Sequence, residues 1–443
     1  MSTRITHTHL LLFLGTIVLL IFTVFIVYYM KNKEGFATDT LAFKTEDGYN
    51  AQVKLLGDTY GPTATAKRPV VDLLANETQS YMPESQQNFI NFYALACRYP
   101  GYLGPMINGY YDPDIGIQAA VNAGCRTFVL DIDYLDDCKE TPYFPRLVVR
   151  DTQGKLLINY NSNQPLCNTM EHNTIKTVCE KINFYAFADS CQNKTDPVVI
   201  VLYFLRQPPG SYKSKTVLDY YSNVAKSMSP FQDRFITNEL DGGTFYRQKQ
   251  ESRLLINKIS DYNGKVLVFS NANTTGFRET KTYSPEEDLD FMVHLRLSYT
   301  QTKMGVTEND SGSSFGILQT AEDFTIVPAS QQGDVMESTK LRWTICLSKD
   351  PAQPVSQANY KAITEKFGVN CVPTVLFDPA SSFMFTDKTF KTYGFIPKPE
   401  ALRYVKPPIV IPAEPNPSMN ANQGKIRAPT IGGGASAPTP PTR

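Results

Sequence analysis

With 443 residues, the chain is long enough for one large barrel with appendages or for two or three ordinary domains. Hydrophobic residues make up 42% and charged residues 19%, a composition that fills a core and excludes wholesale disorder. Lys+Arg and Asp+Glu balance at 43 each, so no net field draws the chain toward nucleic acid, and none is expected as a partner.

A short tail (1–9) leads into Leu10–Met30, an uncharged apolar run ending in Tyr28 and Tyr29 and followed by Lys31 and Lys33. A helix of that length rises roughly 30 Å, enough to cross the hydrocarbon core. The run is longer than a signal-peptide core and lacks a small-residue cleavage site, so it is expected to stay as a single-pass anchor in the bilayer. Positive charge lies on both sides of it, which leaves its orientation open.

Residues 31–68 are polar and read as a stalk. From 69 to 405 apolar runs alternate with helical patterns. The expected strands lie at 88–96, 126–135, 146–151, 197–206, 265–272, 291–300, 342–348 and 371–378, and the expected helices at 114–124, 173–191, 214–228, 250–263 and 357–368. Several strand runs are continuously apolar, as when both faces of a parallel sheet are buried. Alternation of this kind predicts the α/β class, and eight strands predict a (β/α)8 TIM-type barrel preceded by one transmembrane helix. A doubly wound open sheet remains the alternative. Residues 406–443 are rich in Pro, Gly, Ala and Asn and hold few core-forming side chains, which predicts a disordered tail.

Few residues suit acid–base or metal chemistry. The histidines are His7, His9, His172 and His294, and the first two precede the anchor. Among the eight cysteines there is no C-x-x-C pair, so a structural zinc site is not expected, while disulfides and buried thiols both remain open. Sequons begin at Asn76, Asn193, Asn273 and Asn309, about what an Asn-rich chain carries by chance.

The stretch from Gln118 to Asp133 runs QAAVNAGCRTFVLDID, a helix closed by Gly124, then Arg126, then a strand carrying Asp131 and Asp133. This resembles the second strand of the phosphatidylinositol-specific phospholipase C superfamily. Asn91–Cys97, Pro197–Tyr203, Ile259–Val268 and Cys371–Phe377 resemble further strands in the family order. The resemblance spans roughly 85–380 and implies a TIM-type barrel acting on phosphodiesters.

In that family one histidine ends the first strand and another ends the strand after the acidic one, and together they shuttle protons. The matching positions here are Cys97, with Arg98 one residue on, and Arg150. Arginine stays protonated, and cysteine needs a strongly lowered pKa to act as a base. The calcium positions of the eukaryotic branch fall on Arg98, Val129 and Tyr203, and only Asp131 remains as a metal ligand. No cofactor is expected, and calcium only if the site is active. Arg98 and Arg150 suit a phosphate, and Asp131 and Asp133 a cation or a sugar hydroxyl, against the plainer reading of surface arginines and a solvated strand end. With Arg126 and Tyr203 they complete the expected ligand-binding set.

The resulting expectation is a membrane-anchored phospholipase C-like barrel, degenerate at its catalytic positions, which leans against enzymatic activity and leaves it open. Its role would be binding or structural: recognition of a lipid headgroup such as a phosphoinositide, or of a glycan, or service as a surface component of a membrane-bounded particle. The layout of short tail, anchor, large domain and Pro-rich tail also resembles membrane proteins of large DNA viruses. The alternative is an active phosphoric diester hydrolase with a non-standard site built on Asp131, Cys97 or His294.

Overall fold

Asp112 starts a helix by accepting hydrogen bonds from the main-chain N–H groups of Asp114 and Ile115, with Pro113 at the first helical position. Gly124, at φ +94°, turns the chain out of that helix into the following strand. In the computed structural model such βα units repeat between residues 46 and 407. The described residues exclude 62–66, 76–81, 106–108, 137, 139–140, 157–173, 237–252, 281–287, 310–313, 352, 354, 379–382 and 387–389.

In chain order the elements used below are α1 (Glu46–Tyr60), α2 (Val70–Ala75), β1 (Phe92–Ala94), β2 (Ala96–Arg98), β3 (Tyr102–Gly104), β4 (Tyr110–Tyr111), α3 (Pro113–Asn122), β5 (Thr127–Asp133), β6 (Arg146–Leu147), α4 (Thr174–Ala186) and β7 (Val198–Phe204). There follow α5 (Lys215–Ser227), β8 (Val266–Ser270), α6 (Leu289–Met292), β9 (Leu295–Ser298), β10 (Gly316–Thr320), α7 (Ala321–Thr325), α8 (Gln332–Leu341), β11 (Trp343–Leu347), α9 (Gln357–Lys361) and β12 (Phe395–Pro397).

Seven strands pair in parallel in the order β2, β5, β7, β8, β9, β10, β11. The segment around Cys371 and Thr374 joins the two ends of that path. Cys371 bridges to Ile345 on β11 and to Ala94 on β1, and Thr374 bridges to Cys97 on β2. Parallel pairing thus runs round a ring, which is the TIM-type arrangement. Side chains alternate about it. Val129, Val199, Val201, Phe269, Leu297 and Ile345 fill the interior. Phe128, Leu130, Ile200, Leu202 and Val268 pack outward against Ile117, Ala120, Val178 and Val224 of the helices.

The mixed α/β class stands, with several departures in detail. The run at 146–151 contributes only the two-residue β6, antiparallel on β5 and outside the ring. Its place in the ring is taken by β10, which sequence reading passed over. The segment 371–378 contributes single bridges rather than a full strand, in keeping with Pro373, which has no N–H to donate. Of the expected helix at 250–263, residues 250–252 lie outside the described residues and the rest forms two 3-10 turns, Arg253–Leu255 and Ile259–Tyr262. Main-chain bonds from Phe89 N–H to Asn257 O and from Ile259 N–H to Gln87 O hold the backbone between those turns away from a helical ladder.

The stalk assigned to 31–68 includes α1, whose Leu56 and Tyr60 are buried against the barrel layer. Tyr49, Val53, Leu56 and Tyr60 recur at helical spacing, which gives α1 an apolar stripe to bury. Among the described residues no helix is long and apolar enough to cross a membrane. The expected anchor at 10–30, the tail 1–9, the rest of the Pro-rich tail from 408, and His172 lie outside the described residues. Cys138 is disulfide-bonded, while Cys97, Cys125, Cys179, Cys191, Cys346 and Cys371 are free thiols.

Candidate functional site

The C-terminal ends of the parallel strands form the mouth, where TIM-type barrels carry their chemistry. Alternation decides which side chains reach it. Ala94 and Ala96 belong to the interior, so Arg98 points inward, while Cys97 packs with Leu95 in the outer layer. Likewise Val129 is interior, and Asp131 and Asp133 follow it on the same face of β5.

Arg98 and Asp131 form a bidentate ion pair, with Nε to Oδ1 at 3.0 Å and Nη2 to Oδ2 at 2.6 Å. Their side chains are 8% and 3% exposed, so the pair is sealed from solvent. Nη1 donates to the Ser348 carbonyl at 3.0 Å. The guanidinium lies 4.8 Å from the Tyr99 ring centre and 5.7 Å from that of Tyr203. Burial pushes the Asp131 carboxyl above its ordinary value, opposed by the charge and hydrogen bonds of Arg98. Asp131 in turn helps hold Arg98 protonated. Burial also raises the Tyr99 and Tyr203 hydroxyls, so neither is a ready base near neutral pH. Tyr99 takes φ +58°, a left-handed conformation rare for an aromatic residue, as the chain turns out of β2.

A second cluster lies at the rim. Asp133, fully buried, accepts from Arg150 Nε at 2.5 Å and from Arg206 Nε at 3.0 Å. Both guanidinium groups also donate to the Tyr134 carbonyl. Arg206 stacks 4.3 Å from the Tyr134 ring centre and bonds Asp136. Two arginines therefore face two carboxylates.

Two recesses flank the ion pair. One, with a cavity volume of about 20 Å³, is lined by Arg98, Ser348, Val355 and Thr374. The other, also about 20 Å³, is lined by Tyr99, Tyr102, Asp131 and Val149.

Of the residues singled out from sequence, Arg98, Asp131 and Tyr203 meet at the mouth, and Asp133 and Arg150 meet beside it. Arg126 does not join them. It precedes β5 at the opposite end, fully buried, bonding the Ala186 carbonyl at 2.8 Å and Asn193 Oδ1 at 2.6 Å. Cys97 sits in the outer layer, where burial raises its thiol well above the ordinary value. His294 precedes β9, also away from the mouth, and its Nδ1 accepts the Val268 main-chain N–H at 2.9 Å. Arg206 and Tyr99 escaped sequence reading. The signal for Arg206 was its place at the end of the 197–206 apolar run, the strand end that faces the mouth. Asp131, the expected metal ligand, engages Arg98 through both oxygens, and among the described residues no group of three or more His, Cys, Asp or Glu side chains could hold a metal ion.

No protein-family model matches the chain, and no curated protein sequence does. Its structural neighbours are phosphatidylinositol-specific phospholipase C-like barrels. They include a calcium-dependent phosphoinositol-specific phospholipase C from a Gram-negative bacterium, Pseudomonas sp., at 14% identity and TM-score 0.41, with 71% of this chain and 97% of that one covered. PLC21 of L. pealei aligns at 14% identity and TM-score 0.45, and PLC21 of S. officinalis at 13% and 0.45. Each covers 76% of this chain, which spans 41% of the PLC21 chain.

Proposed function

We propose that the chain is a membrane-anchored, phospholipase C-like barrel that binds rather than hydrolyses, recognising a lipid headgroup or glycan at its mouth or serving as a surface component of a membrane-bounded particle. The family likeness rests on the 118–133 segment and its partners in order, and the anchor on the uncharged run at 10–30. The observation that carries the inactive reading is the Arg98–Asp131 pair, sealed between Tyr99 and Tyr203. Phosphodiester cleavage of this kind needs a base and an acid that exchange protons near neutral pH. A guanidinium held protonated and a carboxylate bonded through both oxygens offer neither. Tyr99 lines both recesses beside the pair and offers an aromatic face to a bound polar group.

Titration of the full-length protein in micelles with inositol phosphate, and separately with neutral oligosaccharides, tests this reading. Saturable binding weakened by Tyr99→Ala, at a residue that lines both recesses, supports recognition at the mouth. Absence of binding by both probes leaves the structural role, and turnover of a phosphodiester overturns the proposal.

A further inference from the structure

The base of the barrel, opposite the mouth, is covered by the segment Phe395–Tyr404. β12 pairs antiparallel with β1, and the Lys398 N–H donates to the Asn91 carbonyl at 2.8 Å. The Asn91 side chain then grips Tyr404 by both main-chain groups, donating to its carbonyl at 2.9 Å and accepting its N–H at 2.6 Å. Leu402 is buried beneath the turn between them. This strap drives one side chain inward. Lys398 is wholly buried, and its amine donates to the Thr339 carbonyl at 3.1 Å and Asn370 Oδ1 at 3.2 Å.

Both acceptors are neutral, and Asn370 Oδ1 already receives the Thr344 N–H. The charged groups on the surrounding elements are engaged elsewhere or exposed. On α8, Glu337 pairs with Lys340 and Asp334 is exposed. In the strap, Glu400 is exposed and Arg403 bonds Gln86 and the Lys398 carbonyl. Arg342, ahead of β11, adds only a like charge. The nearby Tyr93 hydroxyl donates to the Thr364 carbonyl, and Cys371 is a buried free thiol. An ammonium here would be fully buried with no counter-charge among the described residues, which is the costly way to bury a cation.

We propose that the strap is a proton-coupled latch: Lys398 seats as the neutral amine, so closing the strap releases one proton to solvent and opening it takes one up. Burial lowers the closed-state amine from 10.5 to about 7. Between those values the open state binds one more proton than the closed state. Opening therefore becomes rarer by about tenfold per pH unit as pH rises from about 7 toward 10. Below about 7 both states are protonated and the dependence ends.

Hydrogen exchange of the strap amides in the full-length protein, corrected for intrinsic rates across pH 7–10, tests the latch. The expected result is a tenfold fall in the opening constant per pH unit, abolished in Lys398→Met. Asn370→Asp, which sets a carboxylate beside the amine, should keep it charged and flatten the profile even if the methionine variant folds poorly. A flat wild-type profile, or an unchanged slope in a folded Lys398→Met protein, overturns the proposal.

Discussion

Arg98 stands opposite Val129 in the register between β2 and β5, yet its guanidinium reaches along the strand to grip both oxygens of Asp131. The pair spans the two strands at the point where the mouth begins. Removing one member strands a buried charge, at a cost of about 3–5 kcal/mol. Arg98→Met or Asp131→Leu alone should each lower the urea midpoint strongly. The double variant, which removes both charges, should recover most of that loss. Additive losses would show that the two residues act through different partners.

Asp196 supplies the opposite pH dependence to the strap lysine. Its carboxyl accepts the Val70 N–H at 2.8 Å, and burial pushes it up from 3.8 to about 7. Over that interval the folded protein holds a proton that the unfolded chain has lost. Stability should therefore fall as pH rises from about 4 to about 7, by at most about 1.4 kcal/mol per unit. In Asp196→Asn this decline should disappear, as read from denaturation midpoints at a series of pH values. The same decline in the variant would assign it to another group.

Gly124 takes a left-handed conformation, and a Cβ there would lie 2.2 Å from Lys67 Cγ. Lys67 is held by the Phe390 and Lys391 carbonyls, so it cannot yield freely. Gly124→Ala should cost more than about 1 kcal/mol and lower the melting temperature. An unchanged melting temperature would mean that the Lys67 contact and the backbone both relax at no cost.

The long apolar runs of β5, β7, β8 and β11 were legible because both faces of a barrel strand are buried. β10 was not, since Gly316, Gln319 and Thr320 leave only Ile317 and Leu318 to mark it. Helix α1 was hidden by its polar neighbours, although its stripe of Tyr49, Val53, Leu56 and Tyr60 was present. At the site, Phe92–Cys97 is apolar at every position, so no alternation reveals that Arg98 rather than Cys97 faces inward. The meeting of Arg206 with Asp133 depends on the register between β5 and β7, which no local pattern encodes.

The most direct test of the non-hydrolytic reading is release of inositol phosphate from phosphatidylinositol vesicles by the full-length protein, with and without calcium. The account predicts no release above that from vesicles alone in either condition. Release that is lost in Asp131→Ala would contradict it.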